Sequence, residues 1–66
     1  MNVTVNGEPR SCDEGATVRS LLRVLDLPES RVAVERNRAI VRKTDYAETA
    51  LADGDRIEIV TFVGGG

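Results

Sequence analysis

The sequence predicts an α+β domain: a mixed β-sheet with one main helix laid across one face. Three observations lead there. Asn6-Gly7 lies between two short segments of strand character. Val18, Leu21, Leu22 and Leu25 fall at i, i+3, i+4 and i+7, the spacing of a single apolar helical face. The β-branched run Ile57-Glu58-Ile59-Val60-Thr61-Phe62-Val63 then leads into Gly64-Gly65-Gly66.

Taken in order, Val3 and Val5 alternate with Asn2 and Thr4, the pattern of a half-buried strand. Asn-Gly is the strongest two-residue hairpin signal, so the chain is expected to turn back at Asn6-Gly7. The return strand, residues 8–12, carries Pro9, which cannot donate to a ladder and places the strand at a sheet edge. Asp13-Glu14-Gly15 is turn chemistry. Thr17 is the expected N-cap of the helix. Leu27-Pro28 is its expected stop, because a residue before proline avoids the α region. Residues 31–36 and 39–42 read as two short strands joined by a turn at Asn37-Arg38. Residues 44–48 suit a single capped helical turn, with Leu51 as a core plug beneath it. Ala52-Asp53-Gly54-Asp55 turns the chain into the last strand, residues 56–63. That strand is the longest and most apolar, so it is expected at the centre of the sheet beside the first strand. Such layering of a helix on a sheet defines the architecture. Residues 1–63 are read as the folded domain and 64–66 as a flexible tail.

Composition narrows the function. A chain of 66 residues makes one small domain that buries only about 60% of its unfolded surface, which leaves little room for an enclosed pocket of the ~300–1,000 Å³ that small ligands need. There is no histidine, so the commonest general base and metal ligand are missing. The single cysteine, Cys12, allows no internal disulfide and points to a reducing compartment. No apolar run approaches the ~18 residues of a membrane span, and the first residues lack the basic and apolar regions of a secretion signal. A cytoplasmic, soluble protein without a bound cofactor is expected. Net charge is −2, and Tyr46 and Phe62 are the only aromatics. That balance is unlike a nucleic-acid binder, which shows a basic surface and stacking aromatics. Arg36, Arg38, Arg42 and Lys43 form a local basic patch, read as a solvated turn.

The glycines after the last strand add little to stability, since glycine loses the most backbone freedom on ordering and packs no side chain. They supply a thin chain that carries a carboxylate. A carboxylate with a reference pKa near 3.5 is ionised at neutral pH and resists nucleophiles, so its chemistry begins with activation. Three extended glycines reach roughly 10 Å, enough for Gly66 to enter a narrow channel while the folded body stays outside. A side chain at Gly65 or Gly66 would meet the channel walls, and Gly64 is further from the reacting carbon.

The local sequence is specific at this point. Asn6-Gly7, Val32-Ala33-Val34-Glu35-Arg36-Asn37, Ile40-Val41, Asp53-Gly54-Asp55-Arg56-Ile57-Glu58-Ile59-Val60 and Val63-Gly64-Gly65-Gly66 together resemble the ThiS family, small sulfur carriers of thiamin (thiazole) biosynthesis with the ubiquitin-like β-grasp fold. The resemblance covers the whole chain, which carries three terminal glycines where the family pattern has two. It implies a cycle. A ThiF-type adenylyltransferase uses ATP to adenylate the Gly66 carboxylate. Persulfide sulfur from a cysteine desulfurase or persulfide relay then yields a thiocarboxylate, and a ThiG-type thiazole synthase accepts the sulfur. The chain itself would be a protein co-substrate and not an enzyme. Period-two alternation puts Ile57, Ile59 and Thr61 on one face of the last strand and Val60 and Phe62 on the other, so Val60, Phe62 and Val63 are the expected partner-binding residues.

Alternatives remain. The same activated Gly66 would serve a carrier for molybdopterin or another thiolated product, or a ubiquitin-like modifier joined to target lysines. Lys43, the sole lysine, argues against ubiquitin-style chains on the protein itself. A non-reactive binding module needs no glycine tail. Cys12 reads as a small packed residue, and Asp53, Asp55 and Glu58 as turn and strand acids that do not form a cation site, although the acids together could steer a basic partner.

Overall fold

A computed structural model describes residues 1–62. Five strands and one α-helix follow in the order β1 (Asn2–Val5), β2 (Glu8–Ser11), α1 (Val18–Val24), β3 (Val32–Arg36), β4 (Ala39–Val41) and β5 (Arg56–Thr61), with 3₁₀ turns at Glu29–Arg31 and Lys43–Asp45. The sheet order is β2-β1-β5-β3-β4. β1 and β5 run parallel, and the other neighbours are antiparallel. The last strand therefore lies at the centre beside the first, as the apolar run of residues 57–63 suggested, and the arrangement is the expected β-grasp.

Both hairpins turn on two residues with positive φ, Asn6 (51°) with Gly7 (83°) and Asn37 (51°) with Arg38 (71°). This is the requirement of the type I′ turns whose twist matches that of the strands. Pro9 sits on edge strand β2 opposite Thr4. Cys12, just past β2, still exchanges backbone hydrogen bonds with Met1: its N–H donates to Met1 O at 2.8 Å, and the Met1 amine donates to Cys12 O at 2.9 Å.

Thr17 caps α1 as expected. Its Oγ1 accepts from the Ser20 N–H at 3.2 Å, and Ser20 Oγ accepts from the Thr17 N–H at 2.8 Å, a reciprocal capping box. The helix ends earlier than Leu27-Pro28 suggested. Asp26 takes φ 58°, its N–H donates to Arg23 O at 3.1 Å, and the Leu27 N–H donates to Leu22 O at 2.9 Å. That pair of bonds is a Schellman motif, so the stop is a left-handed residue before the proline is reached. The second helical turn is likewise displaced, to Lys43–Asp45 where 44–48 was expected, and residues 46–48 continue it as turn. The Asp45 carbonyl there accepts from the Glu48 and Thr49 N–H groups at 3.0 and 2.9 Å.

The core lies between α1 and the inner face of the sheet. Val18, Leu21 and Leu22 pack with Val32, Val34, Ile57, Ile59, Tyr46 and Leu51, with Leu25, Leu27 and Cys12 against the margin. Leu51 is buried as expected. Tyr46, at 1% exposure, is the largest fully buried side chain, and it fills the space under the loop between β4 and β5. No helix among the described residues is long and apolar enough to cross a membrane.

Candidate functional site: the far end of the central strand

β5 is held at both ends by asparagines in the two hairpin turns. At its start, the Asn37 N–H donates to Arg56 O at 2.8 Å, and Asn37 Oδ1 accepts from the Arg56 N–H at 2.9 Å. At its far end, Asn6 Oδ1 accepts from the Ile59 N–H at 2.8 Å while Asn6 Nδ2 donates to Ile59 O at 3.1 Å. On the other side the β3 ladder runs the full length of β5, to Val32 opposite Thr61, and the Phe62 N–H donates to Arg31 O at 2.8 Å. The segment leading toward the glycines is thus part of the sheet up to Thr61 and hydrogen-bonded up to Phe62.

Alternation along β5 is as expected. Ile57 and Ile59 are buried at 1% and 7%, and Val60 and Phe62 stand on the outer face at 59% and 53% exposure. Val60 lies opposite Ala33 in the register. One row further on, Glu58 lies opposite Glu35, and Glu35 opposite Ile40, itself exposed. The outer face near the far end of β5 is therefore an apolar strip bordered by two carboxylates that face each other. Like charges directly opposite cost stability, and here the acids lie beside exposed apolar groups. Val63, Gly64, Gly65 and Gly66 lie outside the described residues.

The remaining candidates disperse. Asp53 Oδ1 accepts from the Asn2 N–H at 2.7 Å. Asp55 is buried at 6% exposure and accepts from Arg36 Nε (2.8 Å), Asn37 Nδ2 (3.0 Å) and the Ala52 N–H (2.8 Å). Burial pushes its carboxyl up, but those hydrogen bonds and the Arg36 charge outweigh burial and hold it below the ordinary aspartate range. Glu58 points outward, so these three acids share no site, and among the described residues no group of three His, Cys, Asp or Glu gathers for a metal. Arg36 is drawn into the Asp55 network and away from the basic patch, whose other members, Arg38, Arg42 and Lys43, stay exposed. An open groove of about 340 Å³ runs beside Asn6, Ile59, Leu25 and Leu27, with Glu8 and Arg10 as its titratable groups. It brings no nucleophile and base together. The sequence reading found Val60 and Phe62 but took Asn6 and Asn37 only as turn residues; their side-chain bonds to β5 depend on the register, which no local pattern reveals.

The model of the ThiS family matches residues 3–66. The chain is 50% identical over 50 residues to the sulfur carrier protein ThiS of Bacillus subtilis, covering 76% of each. It is 48% identical over all 66 residues to a thiazole synthase of Paramagnetospirillum magneticum, but spans only 20% of that protein's length. Among solved structures it is similar to the crystal structure of the thiamine biosynthesis protein ThiS from Geobacter metallireducens, with a TM-score of 0.83 and 38% identity over the whole of both chains.

Proposed function

We propose, since this chain belongs to the ThiS family, that it is a sulfur carrier of thiamin biosynthesis whose reactive group is the carboxylate of Gly66. The single observation that carries the reading is the central strand. β5 is bonded on both sides through Ile59, exposes Val60 with Phe62 just beyond it, and precedes the glycines in the sequence. The body is a docking module and the tail is the substrate.

The cycle follows from carboxylate chemistry. In a ThiF-type adenylyltransferase the Gly66 carboxylate attacks the α-phosphorus of ATP and expels pyrophosphate, leaving an acyl-adenylate. A persulfide from a desulfurase relay attacks the acyl carbon and expels AMP. A thiol then cleaves the acyl disulfide and frees the thiocarboxylate. Splitting one hard substitution into two easier ones is covalent catalysis, and exclusion of water protects the anhydride meanwhile. All catalytic groups belong to the partners, so the carrier is not an enzyme. Similarity to a protein named thiazole synthase supports a ThiG-type synthase as acceptor in preference to a molybdopterin enzyme. Val60, Phe62 and Val63 are the proposed contacts with these partners.

Intact mass spectrometry after incubation with ATP, a ThiF-type enzyme and a persulfide donor tests the reading. The expected product is heavier by the difference between sulfur and oxygen, with the change mapped to Gly66. An unchanged mass beside a demonstrably active enzyme overturns it.

A further inference from the structure

Asn6 does for β5 what the next residue of β1 would do if that strand continued. β1 pairs with β5 only at Thr4 with Arg56 and Val5 with Ile57. The Asn6 N–H adds one more bond, to Ile57 O at 2.9 Å, and the main chain then turns away at φ 51°. The carboxamide takes over from there. Its Oδ1 and Nδ2 bind the N–H and C=O of Ile59, at 2.8 and 3.1 Å, across 53 residues of sequence. An amide that both accepts and donates reproduces a backbone ladder step, which a carboxylate or an alanine cannot do.

We infer that Asn6 is a positioning residue for carrier chemistry: its side chain holds the far end of β5 in the sheet and so fixes the line along which the glycines are presented to a partner's active site. The inference rests on the carrier reading above. Without the amide, the stretch from Ile59 to Phe62 keeps backbone hydrogen bonds only on one side, to β3 and Arg31, and although the Ile59 side chain stays in the core, the part beyond it can twist about that one ladder. The same stretch carries Val60 and Phe62, so the docked face and the departing tail keep a constant relation only while it is rigid. From Ile59 to Phe62 the strand covers about 10 Å, so a swing of roughly 10° at Ile59 moves the point from which the tail departs by about 2 Å. Displacements smaller than that already cost large factors in rate.

The test uses the whole chain with Asn6→Gly, which keeps the left-handed turn and removes only the amide. Asn37→Gly is the control, since it removes the matching clamp at the other end of β5. Asn6→Asp keeps the acceptor and loses the donor. Adenylation by a ThiF-type enzyme, followed by pyrophosphate release, is expected to show kcat lowered about tenfold in N6G, with KM within threefold. N6D should be intermediate, and N37G should have normal kcat despite its lower stability. Amide exchange at Ile59 in N6G should rise at least tenfold more than at Val34. Unchanged kcat in N6G or N6D, or a kcat loss in N37G that tracks its stability, overturns the inference alone. A wild-type chain that an active enzyme does not adenylate overturns the carrier reading, and this inference with it.

Discussion

Arg36 Nε donates to Asp55 Oδ2 at 2.8 Å and joins the end of β3 to the start of β5. Asn37 and the Ala52 N–H complete the coordination of the same carboxylate, so one buried acid ties together a strand, a hairpin turn and the loop before the central strand. Removing it takes the shared acceptor from three donors. Asp55→Ala is expected to cost about 3 kcal/mol, a large part of the ~5 kcal/mol typical of so small a domain, as read by urea unfolding at pH 7.

The pH dependence has a definite sign. The folded carboxyl lies below its ordinary range, so the unfolded chain takes up the proton first as pH falls. The contribution is complete above the unfolded value near 3.9 and is lost as pH drops through the folded one. Urea midpoints between pH 6 and pH 2.5 should fall for the wild type and fall less steeply for Asp55→Asn. Equal slopes would assign the acid sensitivity to other carboxylates.

Val60 and Phe62 are exposed on the outer face of the sheet, so charge at these positions is tolerated by the fold. Val60→Asp and Phe62→Asp should each cost about 1 kcal/mol or less, the range of strand preference. Each should weaken binding to a ThiF-type or thiazole synthase partner at least tenfold, or about 1.4 kcal/mol, measured by titration calorimetry. Undiminished binding would move the contact surface elsewhere on the domain.

Asp26 adopts φ 58° at the C-terminal end of α1, where glycine is the usual occupant and a negative charge opposes the helix dipole. Asp26→Gly should raise stability by about 1 kcal/mol and Asp26→Asn by about 0.4 kcal/mol, both read as a higher melting temperature. No gain from either variant would mean that the Asp26 side chain makes compensating interactions.

Much of this was legible from local pattern. The Asn6-Gly7 turn, the Thr17 cap, the face Val18-Leu21-Leu22, the edge position of Pro9 and the inward Ile57 and Ile59 all rest on signals within a few residues. What stayed hidden depends on pairing over distance. Asp55 looked like a turn residue because its partner Arg36 is 19 positions away and meets it only in the observed register. Tyr46 was placed in its turn without its burial, because one aromatic outside any periodic segment carries no facing signal. Asn6 was read for its backbone alone. The true helix stop is hard to see in the sequence because Pro28 is conspicuous and an aspartate in the left-handed region is not.

The parallel pairing of β1 with β5 has a consequence for synthesis. On the ribosome, both hairpins can emerge and close, yet neither has a neighbour until residues 56–61 clear the exit tunnel. A chain interrupted before Arg56 has two ribbons that pair with nothing between them and lacks Ile57 and Ile59 from its core. Only a polypeptide translated through its last strand becomes a folded body, because residues 56–61 supply the one strand that joins the two hairpins into a sheet.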